Sequence, residues 1–314
     1  MIQLLNAGVA ALILLLAAFA VLTRRLFAAA AAFVAYGLLL TLAWVQLGGL
    51  DVALVEAAIG GGLTGALVIG SAARLRRAES TTAGGERAAA PARMTAALVA
   101  GAVAAAIAAC VLALPDPAPS LAPQVAANIA VTGLGNAITA VLLVFRAMDT
   151  LLEAIVLLFA LIGVWSLAPD QAWGGRPGSR YGGNPDDILA YAARLLAPIG
   201  VVVGIYIFWV GADHPGGKFQ GATILAAMGL LLARAGLTDA PPISRTWLRI
   251  ALVGGPAAFI AIGFLGAGWA GAFLAYPEGY AKPLILAIEW ALLPSLALTL
   301  FLLLAGAPQR VAAA

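Results

Sequence analysis

The sequence is poor in almost everything that soluble catalysis uses. Its 314 residues contain one cysteine, one histidine and two lysines, Lys218 and Lys282, and only 10% of its side chains are charged. Cys110 lies alone in an apolar run, so no intrachain disulfide can form and the redox compartment is unreadable. His214, with few ligands near it, cannot build a zinc site. There is no G-x-x-x-x-G-K-[ST] loop, no Cys/His cluster and no spaced Ser/His/Asp set, so no cofactor is expected and the chain does not read as an enzyme. "NPDD" (Asn184–Asp187) lacks the second acidic motif that a Mg²⁺-diphosphate site needs. Basic and aromatic residues do not interleave, so the pI of 9.3 reflects loop arginines and nucleic acid is not an expected partner.

What is abundant is apolar surface. Hydrophobic residues make up 63% of the chain and mean hydropathy is +1.04. Soluble domains carry about 45–50% apolar and about 25% charged residues. The expected fold is therefore an all-α polytopic membrane protein. Runs of about 20 apolar residues predict nine spans. They fall near residues 2–22, 26–47, 52–73, 94–114, 148–168, 189–211, 219–236, 247–270 and 283–304. The first run lacks a basic leader and its arginines follow it, which predicts a retained span rather than a cleaved signal.

Residues 129–145, "IAVTGLGNAITAVLLVF", are shorter and carry Thr132, Asn136, Thr139 and two glycines. Charge decides how to place them. With nine spans and the N-terminus outside, fourteen of the 17 basic residues fall on the cytoplasmic side. Only Arg146, Lys218 and Lys282 fall outside, in accord with the positive-inside rule. A full crossing at 129–145 would export most of the basic residues that follow it. The segment is therefore expected to be a short or re-entrant helix on the outer side, held against protein. "RLRRAESTTAGGERAAAPAR" (Arg74–Arg93) reads as a flexible cytoplasmic linker and "PDPAPSLAP" (Pro115–Pro123) as a stiff outer connection. "APDQAWGGRPGSRYGGNPDD" (Ala168–Asp187) reads as a Gly-rich cytoplasmic linker between two modules.

Most carboxylates sit in loops or at span ends. Glu56, Glu153 and Glu289 do not, and Asp51 and Asp149 lie close to the first two. Counting the helical rise from the outer ends, the three glutamates lie roughly 6–10 Å below the outer surface. Ionisable groups inside a membrane usually face protein or water and often mark an ion route. Matched depth on three spans fits a hydrated half-channel entered from outside. Local alternatives exist for each. "TLLE" (Thr150–Glu153) forms a capping box, in which Thr150 caps and Glu153 reaches back. Asp149 can pair with Arg146 at i,i+3 or favour the helix N-terminus. Glu56 and Glu289 can be interhelical hydrogen-bonding groups. His214 and Lys218, in "GADHPGGKFQG", stand at the possible mouth, either as a relay or as solvated loop residues. Neither Lys nor His falls in mid-span, so the chain is expected to supply only part of any pathway.

Three stretches carry a family resemblance. "DVALVEAAIGGGLTGAL" (Asp51–Leu67) resembles the C-terminal membrane region of the Mrp antiporter A subunit and its small counterparts in membrane-bound hydrogenases. "GNAITAVLLVFRAMDTLLEAIVLLFALIGV" (Gly135–Val164) resembles the next block of that region. "PGGKFQGATILAA" (Pro215–Ala227) resembles the Pro-Gly-Gly-x-Phe-x-Gly signature of the B subunit. Four positions depart from these patterns: Val144, Leu152, Ala212 and Lys218 stand where Asp, Gly, His and Gly are common. The resemblance implies an A-tail-like module at 1–168, the linker at 169–187 and a B-like module at 188–314. It implies an accessory subunit in the cell inner (plasma) membrane, whose partners are other membrane subunits of an Mrp-like or complex-I-like assembly and Na⁺ or H⁺. By motif, Asp51, Glu56, Arg146, Asp149, Glu153 and Glu289 correspond to residues implicated in the cation or proton route. A structural scaffold without conduction and an independent small-solute permease are the competing readings.

Overall fold

The computed structural model describes residues 2–79, 90–115, 117, 119–178 and 187–310. Of the predicted linkers, residues 80–89 and 179–186 lie outside the described residues, and so do Asn184 to Asp186 of the "NPDD" stretch. Twelve α-helices are described: α1 (Ile2–Leu22), α2 (Leu26–Gln46), α3 (Leu50–Val55), α4 (Gly65–Glu79), α5 (Ala90–Leu112), α6 (Ala122–Thr132), α7 (Ala137–Ala140), α8 (Ala147–Trp165), α9 (Ile188–Val210), α10 (Lys218–Arg234), α11 (Thr246–Ala270) and α12 (Ala281–Ala305). Two π-helical stretches interrupt them, Glu56–Thr64 between α3 and α4 and Val141–Phe145 between α7 and α8.

Every predicted span is met by a helix. Eight are long and apolar enough to cross a membrane, counting α3 to α4 as one, and a bent pair would make nine. The ninth predicted span is α10, whose 17 residues reach about 25 Å. The bent pair is Ala122–Thr132 with Ala137–Phe145, which meet at 87°. Gly135 and Asn136 there donate to Ala212 O, and Leu143 O accepts from Tyr276. Ala212 and Tyr276 both belong to loops on the side that the charge bias assigns to the outside. Residues 129–145 thus turn through a right angle and are held by loops of that end, a bend that a broken span and a re-entrant helix share. The two ends are called outer and inner here after that bias.

The core is built from α8, α10, α11 and α12, with α9 packed on α10. Small residues let these helices approach: a Cβ on Gly221 would come within 2.7 Å of Gly204 O, and one on Gly255 within 2.8 Å of Ser295 Cβ. Pro256 inside α11 cannot donate to the carbonyl four residues back. That carbonyl, Leu252 O, instead accepts from Ser295 Oγ at 2.6 Å, which joins α11 to α12. α2 and the first π-helical stretch form a second layer that meets α10. α5 is exposed along its described length.

The inner end is ordered where a linker was predicted. Arg176–Pro177 pairs antiparallel with Pro308–Arg310, Ile243 N donates to Gly175 O, and Ser244 N to Gly174 O. Arg310 grips Asp239 with two nitrogens, Nη2 to Oδ1 at 2.6 Å and Nη1 to Oδ2 at 2.7 Å, and Arg176 lies 3.7 Å from the same carboxylate. The hydrogen-bonded Arg310 guanidinium holds the Asp239 carboxyl below the ordinary range. A carboxyl shifted downward stabilises the fold above its unfolded pKa, near 3.9, and loses that contribution as the pH falls through the folded value. Because the pair is partly solvated, its worth is about 1 kcal/mol. Asp239→Asn should therefore lower thermal stability at pH 7 and cost clearly less at about pH 3. An equal penalty at both values would exclude the ion pair as its source.

Candidate functional site

The site begins with a turn. α9 ends at Val210, and the chain returns through "GADHPGG" before α10 starts at Lys218. Gly216 and Gly217 have φ of 149° and 152°, which side chains rarely adopt. A Cβ on Gly216 would collide with Ile207 O, and one on Gly211 would sit 2.6 Å from Gly217 N. Gly217 N donates to Ile207 O at 3.1 Å. The loop is thus pressed onto the last turn of α9, and α10 starts inside the bundle.

Lys218 is consequently buried, with 4% of its side chain exposed, and it faces Glu289, at 3%. Their Nζ and Oε1 atoms lie 3.8 Å apart. Glu289 is eight residues into α12, about 12 Å along it. At that separation the attraction is roughly 4 kcal/mol at an effective dielectric of about 20, against a desolvation cost of several kcal/mol per ion. The pair therefore adds little net stability, while losing one partner would cost about 3–5 kcal/mol. The Phe219 ring lies 5.5 Å from Nζ. Glu153, exposed on α8, is close enough to exchange a charge interaction with Lys218. Lys218 thus stands between two of the predicted carboxylates.

A cavity of about 190 Å³ connects this pair to the outer end, lined by Asp51, Val55, Thr139, Leu142, Lys218 and Glu289 among others. It has room for several waters, and its mostly apolar lining gathers its polar groups around Asp51 and the Lys218–Glu289 pair. At its edge, Asp51 Oδ1 accepts from Gly216 N and from Asn136 Nδ2, each at 3.1 Å. Asn136 also donates to His214 O at 2.9 Å, and Thr139 Oγ1 donates to Gly211 O at 2.6 Å. Two distant segments are tied to one loop here. Farther out, Lys282 Nζ bonds both oxygens of Asp213, at 2.7 and 2.8 Å. That bond, reinforced by Gly135 N–H, holds the Asp213 carboxyl below its usual range. The Tyr276 phenol, pushed up chiefly by burial and then by the charge of Glu289, stays a donor to Leu143 O.

The predicted residues divide. Asp51, Lys218 and Glu289 share the cavity, and Glu153 flanks it through Lys218. Glu56 does not line it: its Oε1 rests by Gly37 and Gly60, where α2 and the π-helical stretch close to glycine-on-glycine contact. Arg146 and Asp149 pair at 2.6 Å with side chains 69% and 51% exposed. His214 is exposed and contributes its carbonyl. The capping box at Thr150 is not formed. Thr150 is buried and its Oγ1 donates at 2.6 Å to Leu142 O, a carbonyl left over by the π-helical stretch, while α8 already starts at Ala147. Lys218 is the residue that span counting misjudged. It opens its helix, as predicted, but not at the membrane surface, because the glycine turn carries that helix end inward. The signal was the pairing of a lone lysine behind two glycines with a lone mid-span glutamate.

With this geometry in place, comparison with known families is informative. Residues 188–308 match a family described as a domain related to the MnhB subunit of Na⁺/H⁺ antiporter, and residues 11–77 match MbhD, a family of MBH subunits. The chain joins an MbhD-type domain to an MnhB-related domain. It is thus an Mrp-type subunit fusion, as two of the three sequence stretches suggest; the third, Gly135–Val164, lies outside both matched ranges. A chain of the Mrp complex from Dietzia sp. DQ12-45-1b shares its fold, with a TM-score of 0.71 at 22% identity. That match covers 96% of this chain and 35% of the other, so the fusion spans about a third of its length. A chain of the membrane-bound sulfane sulfur reductase (MBS), an archaeal respiratory membrane complex, gives a TM-score of 0.52 at 22% identity. It is covered over 97% of its length by 68% of this chain. A comparison with curated proteins finds no match. The MnhB-related domain contains the Lys218–Glu289 pair, and the MbhD-type domain contributes Asp51.

If Asp51 serves as an acceptor for the loop, Asp51→Ala strands two donors and should cost about 1–3 kcal/mol. Asp51→Asn keeps an oxygen acceptor and should cost clearly less. Thermal unfolding of the purified protein compares the two, and equal losses would show that the charge, not the acceptor, matters.

Proposed function

We propose that this chain is an accessory subunit of an Mrp-type or complex-I-like ion-translocating assembly, and that its outer cavity is one segment of the Na⁺ or H⁺ path. The observation that carries this is the Lys218–Glu289 pair at the floor of a cavity that reaches Asp51. A buried ion pair that adds little stability is expected where protonation or ion occupancy changes during function. The family descriptions add support, since the MnhB relative is named as part of a Na⁺/H⁺ antiporter. The similar structures come from multi-subunit membrane complexes. Partner subunits then supply the rest of the route.

In this proposal, residues 1–168 and 188–314 act as two modules joined by 169–187 and set in the cell inner (plasma) membrane. Glu153 extends the path from Lys218 to the surface of α8. Arg146 and Asp149, paired and exposed, act at the outer rim rather than on the path. Glu56, packed against glycines of α2, favours an architectural role in the first module.

The test is antiport by the assembled complex in vesicles. Glu289→Gln and Lys218→Met should each lower it by at least about tenfold while the complex still assembles, and Glu56→Gln should lower it far less. Undiminished antiport in both pair variants would leave the scaffold role alone.

A further inference from the structure

We infer that the outer cavity admits protons and excludes sodium, because Lys218 is a cation built into the place a sodium ion would take on Glu289. This inference rests on the cavity being part of an ion path.

A hard cation leaves water only for several oxygen ligands that together replace its hydration shell. Much of the oxygen set here is already engaged. Glu289 Oε1 faces Lys218 Nζ at 3.8 Å. Asp51 Oδ1 accepts two protein donors, Gly216 N–H and Asn136 Nδ2. The Thr139 hydroxyl is directed at Gly211 O. Among the described residues no three of His, Cys, Asp and Glu gather into a metal-holding group. A second cation entering the floor would meet an ammonium held within 4 Å of the one carboxylate it could use. The neighbouring Glu153 balances Lys218 from the α8 side, so the ammonium has acidic groups on two flanks.

A proton needs none of those ligands. The ammonium and carboxylate can become amine and carboxylic acid by moving one proton from Nζ to Oε1, with no change in total charge. Waters in the cavity can then deliver a proton to the amine, or take one from the acid. The chain thus carries its own counter-cation on a four-carbon tether, and proton exchange is the chemistry that such a pair supports. The glycine turn makes this possible, since it brings the start of α10 to the level of Glu289.

The experiment uses the assembled complex and ²²Na⁺ alone as the probe. In the parent complex, Glu289→Gln should leave bound ²²Na⁺ unchanged. In a Lys218→Gln background the freed carboxylate should add a sodium site, with affinity raised at least tenfold over the parent, and Lys218→Gln/Glu289→Gln should abolish it. Loss of about one bound ²²Na⁺ per chain on Glu289→Gln alone would overturn the inference. A second measurement needs no substitution that affects assembly. Infrared difference spectra of the parent complex should show a protonated carboxyl band that titrates with pH and is the same in sodium and in choline media. A band lost on adding Na⁺ would overturn the inference. Antiport in the pair variants is scored separately: undiminished transport refutes the path itself, whereas sodium bound at Glu289 in the parent refutes only the choice of ion.

Discussion

A lysine cannot be left alone inside a membrane protein, and much of this structure follows from that. Lys218 is 4% exposed and is answered by Glu289 on α12, with Glu153 acting on it from α8. The pair requires the start of α10 to lie about two turns of α12 below the outer end. Only a sharply folded connection delivers a helix start there, which is what Gly211, Gly216 and Gly217 provide. The loop must in turn be held, and Asp51 and Asn136 hold it from two other parts of the chain. The interface between the MbhD-type and MnhB-related domains is therefore also the mouth of the cavity. Neither domain closes this site by itself.

A second constraint runs beside the first. Where water is scarce, every carbonyl freed by an irregular helix must find a donor. The π-helical stretch at Val141–Phe145 frees Leu142 O and Leu143 O, which are taken by Thr150 and Tyr276. Pro256 frees Leu252 O, which is taken by Ser295. The repairs at Leu143 and Leu252 join elements far apart in the chain, so these irregular places act as rivets. One of them, Tyr276 on Leu143, pins the bent segment beside the cavity wall.

The large features were legible because they depend on composition and charge. Apolar run length placed the eight long helices and the shorter α10, and the arginine bias set residues 129–145 at one end, where Gly135 and Leu143 make their contacts. Matched depth of acids singled out Glu153 and Glu289, which do flank one group. What could not be read was side-chain direction. Depth along a helix says nothing of azimuth, so Glu56 was grouped with acids that it does not face. A Thr three residues before a Glu looks like a capping box when the preceding π-helical turn is invisible. Lys218 was placed at the surface because span counting assumes that helices start there. The ordered strap at Arg176–Pro177 was hidden as well, since its partner Pro308–Arg310 lies over a hundred residues away.

The cavity stops where the charges stop. Along α12 beyond Glu289, the buried side chains are Leu292, Leu293, Leu296, Leu300, Phe301, Leu302 and Ala305, with Ser295 and Thr299 between them. Both hydroxyls are spent on backbone carbonyls, Leu252 O and Ser295 O. On α10 the hydroxyl of Thr223 is likewise bound to Phe219 O. Below the pair, then, α10 and α12 present apolar side chains and satisfied hydroxyls, which offer an ion little to exchange for water; Trp165 Nε1, at the inner end of α8, is a buried polar atom without a partner among the described residues. Away from the cavity and Asp51, Lys218 also acts on Glu153, on the exposed side of α8. A carboxylate turned outward from a span is costly against lipid, so the packing itself points to a protein neighbour on that face.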